Sequence, residues 1–266
     1  MTHHPDTAAK AAILTSLHCP GEPLIVCNVW DSITARIVAA VPGVAALATA
    51  SHAISEAHGV SDNEGLTLTQ ALRAAKLVID ATEHPVSIDF EKGYAPDAAG
   101  VEHNVTRLVE AGAAGMNIED SLQSAAGSLR SAEDAAERVA AARRAGDALE
   151  VPLAINARVD VLAGDPTAWD EAMDRAKRYL DAGATSIFML GLADEDRIER
   201  AVETIPGPVA VIGGPGMPSL SRLADLGIAR VSFGPRTMGL TLAHLQRATR
   251  QLTMLGDYPE ELGFQY

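Results

Sequence analysis

Short apolar runs alternate with longer amphipathic segments along almost the whole chain. The runs are about five to seven residues long and have the composition of buried parallel strands. The segments between them are rich in alanine, carry arginine and glutamate on one face, and in several cases end at a glycine, as helices do. The predicted strands are residues 24–29, 44–49, 85–90, 115–119, 152–158, 186–190, 208–213 and 229–234, and the clearest predicted helices are 97–111, 131–145, 167–182 and 193–205.

This alternation of strand and helix predicts a parallel sheet, and eight such units in 266 residues are typical of a (β/α)8 barrel. We therefore expect an α/β fold with one TIM-barrel domain over residues 1–266. A helix over residues 7–17 should cover the bottom of the barrel, and the tail 256–266 should pack on a neighbour or fray. A doubly wound open sheet is disfavoured because no Gly-x-Gly-x-x-Gly follows the first strand.

Charge and composition narrow the function classes. The net charge is −14 with a pI of about 4.9, so the protein should repel nucleic acid and anionic lipid, and a small anionic substrate would need a local cation. Cys19 and Cys27 have no metal-type spacing and fit a reducing compartment. Without a secretion-type leader or an apolar run of about 20 residues, we expect a cytoplasmic protein that acts on a small molecule.

Acidic side chains follow several predicted strands at the end where the active sites of parallel barrels lie. Period-two alternation should place Asp89 and Glu91 on the same side of the third strand, with Glu119 on the next strand. Three carboxylates this close raise one another's pKa unless a cation lies between them. An all-oxygen ligand set favours Mg²⁺ or Mn²⁺ over Zn²⁺. For Asp31 and Asp120 the alternative is that each caps a following helix.

Arg158 is the cation expected at the same rim. Arginine binds a carboxylate with two parallel hydrogen bonds, which suits a carboxylate substrate in an acidic protein. The alternative is a salt bridge to Asp160 or to an acid of the metal site. Trp30 should lie over the barrel mouth, where the alternative is rim packing, and His52 and His58 are weaker candidates.

In the order and spacing of these rim residues, the chain resembles the isocitrate lyase/phosphoenolpyruvate mutase superfamily, and more closely its small single-domain, phosphoenolpyruvate mutase-like branch. The resemblance covers nearly the whole barrel. It is carried by Asn28-Val29-Trp30-Asp31, Thr49-Ala50-Ser51, Val60-Ser61-Asp62, Asp89-Phe90-Glu91-Lys92-Gly93-Tyr94, Asn117-Ile118-Glu119-Asp120-Ser121 and Asn156-Ala157-Arg158-Val159-Asp160.

The resemblance implies a Mg²⁺-dependent lyase that acts on a small 2-keto or 2-hydroxy acid through a metal-stabilised enolate. It implies that Asp89 contacts the metal and that Asp62, Glu91 and Glu119 hold its waters. It further implies a homo-oligomer, a tetramer or dimer, with the last helix exchanged between neighbours. The expected substrate contacts are the Arg158 guanidinium, the stacked Trp30 ring, and the backbone N–H groups of Ser51, His52 and Ala53.

The chain departs from the lyase pattern after the fourth strand. Residues 121–130 lack the cysteine of the lyases and the Lys and Asn of the mutases, and a histidine, His52, stands where the family commonly has glycine. Isocitrate cleavage is therefore disfavoured, and decarboxylation of an oxaloacetate-like acid is favoured. The alternatives are a P–C bond enzyme of the phosphoenolpyruvate mutase or phosphonopyruvate type, a catalytically silent metal- and carboxylate-binding barrel, a phosphosugar enzyme that uses the glycines after strands seven and eight, and a Schiff-base aldolase that uses Lys92.

Overall fold

The strands form one parallel sheet in the computed structural model, which describes residues 5–122 and 128–265. Their bounds are β1 (Leu24–Val26), β2 (Asn28–Val29), β3 (Leu47–Thr49), β4 (Val86–Asp89), β5 (Gly115–Glu119), β6 (Ala154–Val159), β7 (Ser186–Met189), β8 (Val209–Ile212) and β9 (Arg230–Ser232). The first predicted strand is split at Cys27, and its halves β1 and β2 pair with β9 and β3 respectively. The first strand thus closes the ring, and the predicted (β/α)8 barrel is confirmed.

Helices follow the strands as the amphipathic segments predict. They are α1 (Pro5–Ser16), α2 (Ser32–Ala39), α3 (Ser51–Ala57), α4 (Leu68–Ile79), α5 (Ala98–Glu110), α6 (Ala132–Ala148), α7 (Val161–Gly164), α8 (Trp169–Asp181), α9 (Glu195–Thr204), α10 (Leu220–Asp225) and α11 (Arg236–Thr253), followed by the 3-10 turn Glu260–Gly263. Several helices begin at a residue whose side chain accepts a hydrogen bond from a backbone N–H of the first turn. These residues are Asp97 for α5, Ser131 for α6 and Asp194 for α9. Asp31 caps α2 in the same way, which is the alternative stated for it above.

The middle of the barrel interior holds a chain of polar side chains. Asn156 on β6 donates from Nδ2 to Oδ1 of Asn117 on β5 at 2.9 Å, and its own Oδ1 accepts from Ser186 on β7 at 2.6 Å. All three side chains are buried, so each hydrogen bond offsets the cost of removing a polar group from water. This layer joins β5, β6 and β7, two of which also carry residues of the acidic rim.

Helix α1 packs on the bottom of the barrel, as its predicted position requires. A Cβ at Gly115 would lie 2.7 Å from Cδ2 of Leu14, so the glycine lets the helix approach the strand closely. Above this contact, Arg230 on β9 is 1% exposed, donates to Oγ of Ser87 at 3.2 Å and faces His18 at 3.5 Å. Within the described ranges, no helix has both the length and the apolar character needed to cross a bilayer.

Candidate active site at the strand ends

The ends of β4, β5 and β6 bring carboxylates and one guanidinium to a single rim. Asp89, the last residue of β4, is in register with Asn117 of β5, and Glu119, the last residue of β5, is in register with Arg158 of β6. Because the strands are parallel, these chain positions share one end of the barrel. The sequence-predicted acids and arginine therefore meet at the expected end.

Asp89 is held in place by two backbone contacts. Its Oδ2 accepts the N–H of Ser51, the first residue of α3, at 2.9 Å. Its own N–H donates to Oγ1 of Thr49 on the neighbouring strand at 2.8 Å. The Ser51 N–H, predicted to contact a substrate oxygen, thus donates to Asp89 in this structure.

Glu91 lies beyond the strand, and the alternation argument used for it is wrong. Strand β4 ends at Asp89, and the backbone takes a left-handed conformation at Glu91, with φ of 49°. Its carboxylate accepts from the Tyr94 hydroxyl and from the Glu64 N–H. Burial raises the pKa of the Glu91 carboxyl to about 7 against these hydrogen bonds, and the charges of Asp89 and Asp62 add to the rise.

Glu119, which is buried, and Arg158, which is partly exposed, form an ion pair at the rim. Nη1 of Arg158 lies 2.6 Å from Oε2 of Glu119, whose other oxygen accepts from the Ser121 hydroxyl at 2.9 Å. Burial raises the pKa of the Glu119 carboxyl to about 7, the Arg158 charge opposes the rise, and the charges of Asp160 and Asp89 add to it. The negative charge of this carboxylate is therefore unfavourable mainly because the group is buried, and the predicted repulsion between neighbouring acids adds to it.

Asp160 binds Arg158 from the other side. Nε and Nη2 of Arg158 donate to its two oxygens at 2.5 and 2.8 Å, the bidentate arrangement typical of Arg–carboxylate pairs. Burial lowers the pKa of the Arg158 guanidinium, but the charges of Glu119 and Asp160 outweigh it, so the pKa stays above its usual range. Both ion pairs stated as the alternative for Arg158 are present.

A buried network connects Asp160 to helix α8. Asp120, 1% exposed, accepts the Asp160 N–H at 3.0 Å, the Tyr179 hydroxyl at 2.8 Å and Nη1 of Arg175 at 3.2 Å. Burial and the Asp160 charge raise the pKa of Asp120 above its usual range. Asp120 therefore does not cap a helix. It instead holds the backbone of Asp160, the residue that pairs with Arg158.

Asp62 and His52 lie on the side of α3. Nδ1 of His52 is 3.4 Å from Oδ2 of Asp62, and Oδ1 of Asp62 is buried without a hydrogen-bond partner among the described atoms. Ala53 is fully buried, and Trp30 packs against the small apolar clusters around Ala50 and Ile54. Rim packing, the alternative for Trp30, is thus observed, whereas its stacking on a substrate stays a prediction.

The described residues of the rim do not form a ready-made set of metal ligands. Over residues 5–122 and 128–265, no three His, Cys, Asp or Glu side chains lie in a metal-binding arrangement. The reason lies in the contacts above, because Glu119 is directed to Arg158 and Glu91 to Tyr94. The Mg²⁺ ligand set stays a prediction, and the part of the 121–130 loop at residues 123–127 lies outside the described residues.

The phosphosugar alternative finds little support at the ends of β8 and β9. The N–H groups of Phe233 and Gly234, which a phosphate would need, donate to Oδ1 of Asn28 at 2.7 and 2.8 Å. The N–H of Gly213 donates to the Ser232 carbonyl at 2.7 Å. These three N–H groups are therefore already used in hydrogen bonds that join the last strands to each other and to the first strand.

Sequence reasoning missed the role of Glu64. Its N–H donates to Glu91, and its Oε1 accepts the N–H of Tyr94 at 2.7 Å. The sequence indicates this role only weakly, through the position of Glu64 two residues after Asp62. In the structure the two residues lie in a turn where Asn63 and Glu64 both have positive φ. Such strained residues concentrate at functional sites.

Comparisons with known proteins find relatives of similar sequence and fold. The family model described as phosphoenolpyruvate phosphomutase matches residues 14–253. Oxaloacetate decarboxylase 1 of Pseudomonas fluorescens (strain Pf0-1) is 31% identical over 208 residues, which cover 76% of this chain and 70% of that protein. A crystal structure from Burkholderia cenocepacia J2315, assigned provisionally as a phosphonomutase, is 36% identical, with a TM-score of 0.86 and coverage of 92% of this chain and 99% of that one. Oxaloacetate acetylhydrolase in complex with oxalate shares the fold, with a TM-score of 0.86 at 20% identity and coverage of 97% of this chain and 91% of that one.

Proposed function

Because the chain belongs to the phosphoenolpyruvate phosphomutase family, within the isocitrate lyase/phosphoenolpyruvate mutase superfamily, we propose that it is a Mg²⁺-dependent carbon–carbon lyase that decarboxylates an oxaloacetate-type 2-keto diacid. The observation that carries the proposal is the rim itself. One guanidinium, Arg158, lies between Glu119 and Asp160, beside the carboxylate of Asp89. This combination can hold a cation and an anionic substrate next to each other.

The donor chemistry at the rim suits a divalent cation, although the described side chains do not converge on a single point. The donors are carboxylate oxygens, which hard cations such as Mg²⁺ and Mn²⁺ prefer. The buried Oδ1 of Asp62 has no hydrogen-bond partner among the described residues, and such an atom is stabilised by a cation or by one of its waters. We infer that Asp89 would contact the ion and that Asp62, Glu91 and Glu119 would hold its water shell.

The chain's own residues would bind and orient the substrate. A bound divalent cation would supply stabilisation of the negative charge that develops on the carbonyl oxygen when the neighbouring C–C bond breaks. Arg158 would bind a substrate carboxylate, because an arginine has five N–H donors and its observed contacts leave donors available. Asp160 and Glu119 hold the guanidinium in one orientation, so the bound carboxylate would be held with it.

The substrate class follows from the relatives and from the missing loop residues. The match to two oxaloacetate decarboxylases covers 76% and 88% of this chain and 70% and 80% of those proteins. Decarboxylation also needs no thiol from the 121–130 loop. A P–C bond enzyme is the second candidate, because the matching family model is that of a phosphomutase. Oxaloacetate and phosphonopyruvate, assayed side by side, separate the two.

The test is Mg²⁺-dependent release of pyruvate from oxaloacetate, with oxalate as an inhibitor. We expect turnover by the wild type above the spontaneous rate and no turnover by Asp89→Asn, which keeps the shape of the side chain but removes its charge. Mg²⁺ affinity measured by calorimetry should be lost in the same variant. Oxalate and Mg²⁺ binding without turnover of either keto acid would instead indicate a silent binding barrel.

We further propose that the protein is a homo-oligomer, a tetramer or dimer, that uses α11. Leu240, Leu242 and Leu245 on this helix are 71%, 55% and 60% exposed. Leu242 and Leu245 are three positions apart and share one face of the helix, and exposed apolar faces mark interaction surfaces. Light scattering should give a multimer for the wild type and a smaller species for Leu245→Glu. Leu77→Glu, at a leucine on α4 that is 52% exposed, is the matched control and should leave the mass unchanged.

A further inference from the structure

The segment 91–97, which follows β4, has an intrinsically unfavourable backbone conformation. Its φ values are 49° at Glu91, 90° at Gly93 and 54° at Tyr94. A left-handed conformation costs about 1–2 kcal/mol at a residue other than glycine, so it persists only where surrounding contacts fix it. The segment therefore needs support from outside.

Arg138 on α6 supplies one part of that support. Its side chain is 1% exposed, and its guanidinium donates to the carbonyls of Lys92 at 3.4 Å, Ala95 at 3.1 Å and Pro96 at 2.5 Å. Its acidic partner, Asp134, lies on the same helix at 3.3 Å. A buried arginine has lost its hydrating water, so its N–H groups must donate to protein acceptors instead. Here those acceptors are the three backbone carbonyls.

Asn104 on α5 supplies the other part. Its Nδ2 donates to the carbonyls of Gly93 at 3.0 Å and Tyr94 at 2.8 Å. Val101 on the same helix fills the space beside Gly93, where a Cβ would lie 2.9 Å from Cγ2 of the valine. Two helices thus hold the same short segment, Asn104 through the carbonyls of Gly93 and Tyr94 and Arg138 through those of Lys92, Ala95 and Pro96.

We propose that Arg138 and Asn104 are positioning residues, which hold segment 91–97 so that the Glu91 carboxylate stays at the cation site. The proposal rests on the proposed function in one respect, namely that Glu91 holds the water shell of the cation. The observed contacts of both residues with the segment are to its backbone carbonyls, so their effect passes through the backbone.

The test compares Arg138→Met and Asn104→Asp with a control from the same helix. Arg143 on α6 also donates to backbone carbonyls, those of Gly183 and Leu153, but at a site away from segment 91–97. Arg143→Met therefore removes the same kind of contact. Asn104→Asp removes both amide donors with almost no change in volume, so it serves even if Arg138→Met does not fold.

The first readout is the Mg²⁺ dissociation constant, measured by calorimetry far below the unfolding midpoint of every variant. We expect Arg138→Met and Asn104→Asp to weaken Mg²⁺ binding about 10- to 100-fold, the usual effect of removing a group that orients a metal-site residue. Arg143→Met should bind Mg²⁺ as the wild type does even though it is less stable. Unchanged Mg²⁺ affinity in both test variants, or an equal loss in Arg143→Met, would overturn the proposal.

The second readout needs no metal. Hydrogen exchange of the peptide that covers residues 90–97, followed by mass spectrometry, should be faster in Arg138→Met and Asn104→Asp than in the wild type, and unchanged in Arg143→Met. If the wild type binds no Mg²⁺, the proposed function fails, and this exchange rate alone decides whether the two residues fix the segment. Wild-type exchange in both variants would refute the positioning role.

Discussion

The neutral form of His18 should stabilise the bottom of the barrel, so acidification should remove part of the free energy of unfolding. His18 is 5% exposed, and its Nδ1 donates to the Leu14 carbonyl at 2.8 Å, which leaves Nε2 facing Nη1 of Arg230 at 3.5 Å. Burial and the Arg230 charge lower the pKa of His18 from 6.5 to about 4, against backbone hydrogen bonds to Leu14 and Thr15. A proton on His18 would lie next to a fully buried guanidinium.

The sign and size of the effect follow from proton linkage. Between pH 6.5 and about 4 the unfolded chain binds a proton at His18 and the folded protein does not. The contribution of His18 is therefore fully present above pH 6.5 and is lost as the pH falls to about 4. At about 1.4 kcal/mol per pH unit, the loss over this interval amounts to about 3 kcal/mol.

The assay is urea denaturation of the wild type and of His18→Gln at several pH values across this interval. Glutamine keeps a hydrogen-bonding side chain but takes up no proton, and the other acid-titrating groups are common to both proteins. The free energy of unfolding of the wild type should fall by about 3 kcal/mol more than that of the variant between the ends of the interval. Parallel pH profiles for the two proteins would refute the assignment of a depressed pKa to His18.

Three substitutions test the network around the rim. Arg158→Met should weaken oxalate binding to the Mg²⁺-loaded protein by about 2–4 kcal/mol, because it leaves buried carboxylates unpaired; unchanged calorimetric affinity would exclude Arg158 as the carboxylate ligand. Asp120→Asn should lower the urea-derived free energy of unfolding by about 2–4 kcal/mol, since the buried Arg175 then keeps one ion pair, with Glu171 at 2.8 Å, and its contact with the Tyr179 hydroxyl. A loss below about 1 kcal/mol would mean that the buried pair with Asp120 contributes little. Gly93→Ala, at a φ of 90° with a Cβ contact of 2.9 Å, should destabilise the protein by about 1–3 kcal/mol, and wild-type thermal stability would contradict the close approach to α5.

The sequence predicts the elements of this fold well because each buried strand must be apolar and each helix must have one apolar face. All eight strands occur close to their predicted bounds, and α5 begins after the capping residue Asp97. The break at Cys27 was not predictable, because an apolar run does not record which residues pair with a neighbouring strand. Local periodicity thus identifies elements, and pairing decides their ends.

The sequence predicted the main residues of the rim but not how their side chains are arranged. Asp89, Glu119 and Arg158 follow from the rule that parallel strands end together. The conformation of Glu91 could not be inferred, because it depends on Arg138 and Asn104, and Arg138 lies more than forty positions from the segment whose carbonyls it binds. Glu64 was missed for the same reason, since its contacts with Glu91 and Tyr94 exist only once two loops meet.

The charge balance at the rim links cation and substrate binding. Arg158 is neutralised by Glu119 and Asp160, so it adds no net positive potential, and Asp89 and Glu91 leave an excess of negative charge there if they are ionised. A dicarboxylate that enters this mouth gains little from the guanidinium alone and is repelled by the acids in a protein of net charge −14. If the proposed site holds a divalent cation, the cation would reverse the local potential, and we expect Mg²⁺ and oxalate each to raise the affinity of the other by the same factor. The proposed dependence of substrate binding on the metal would therefore follow from the same acids whose charge is unfavourable in the free site.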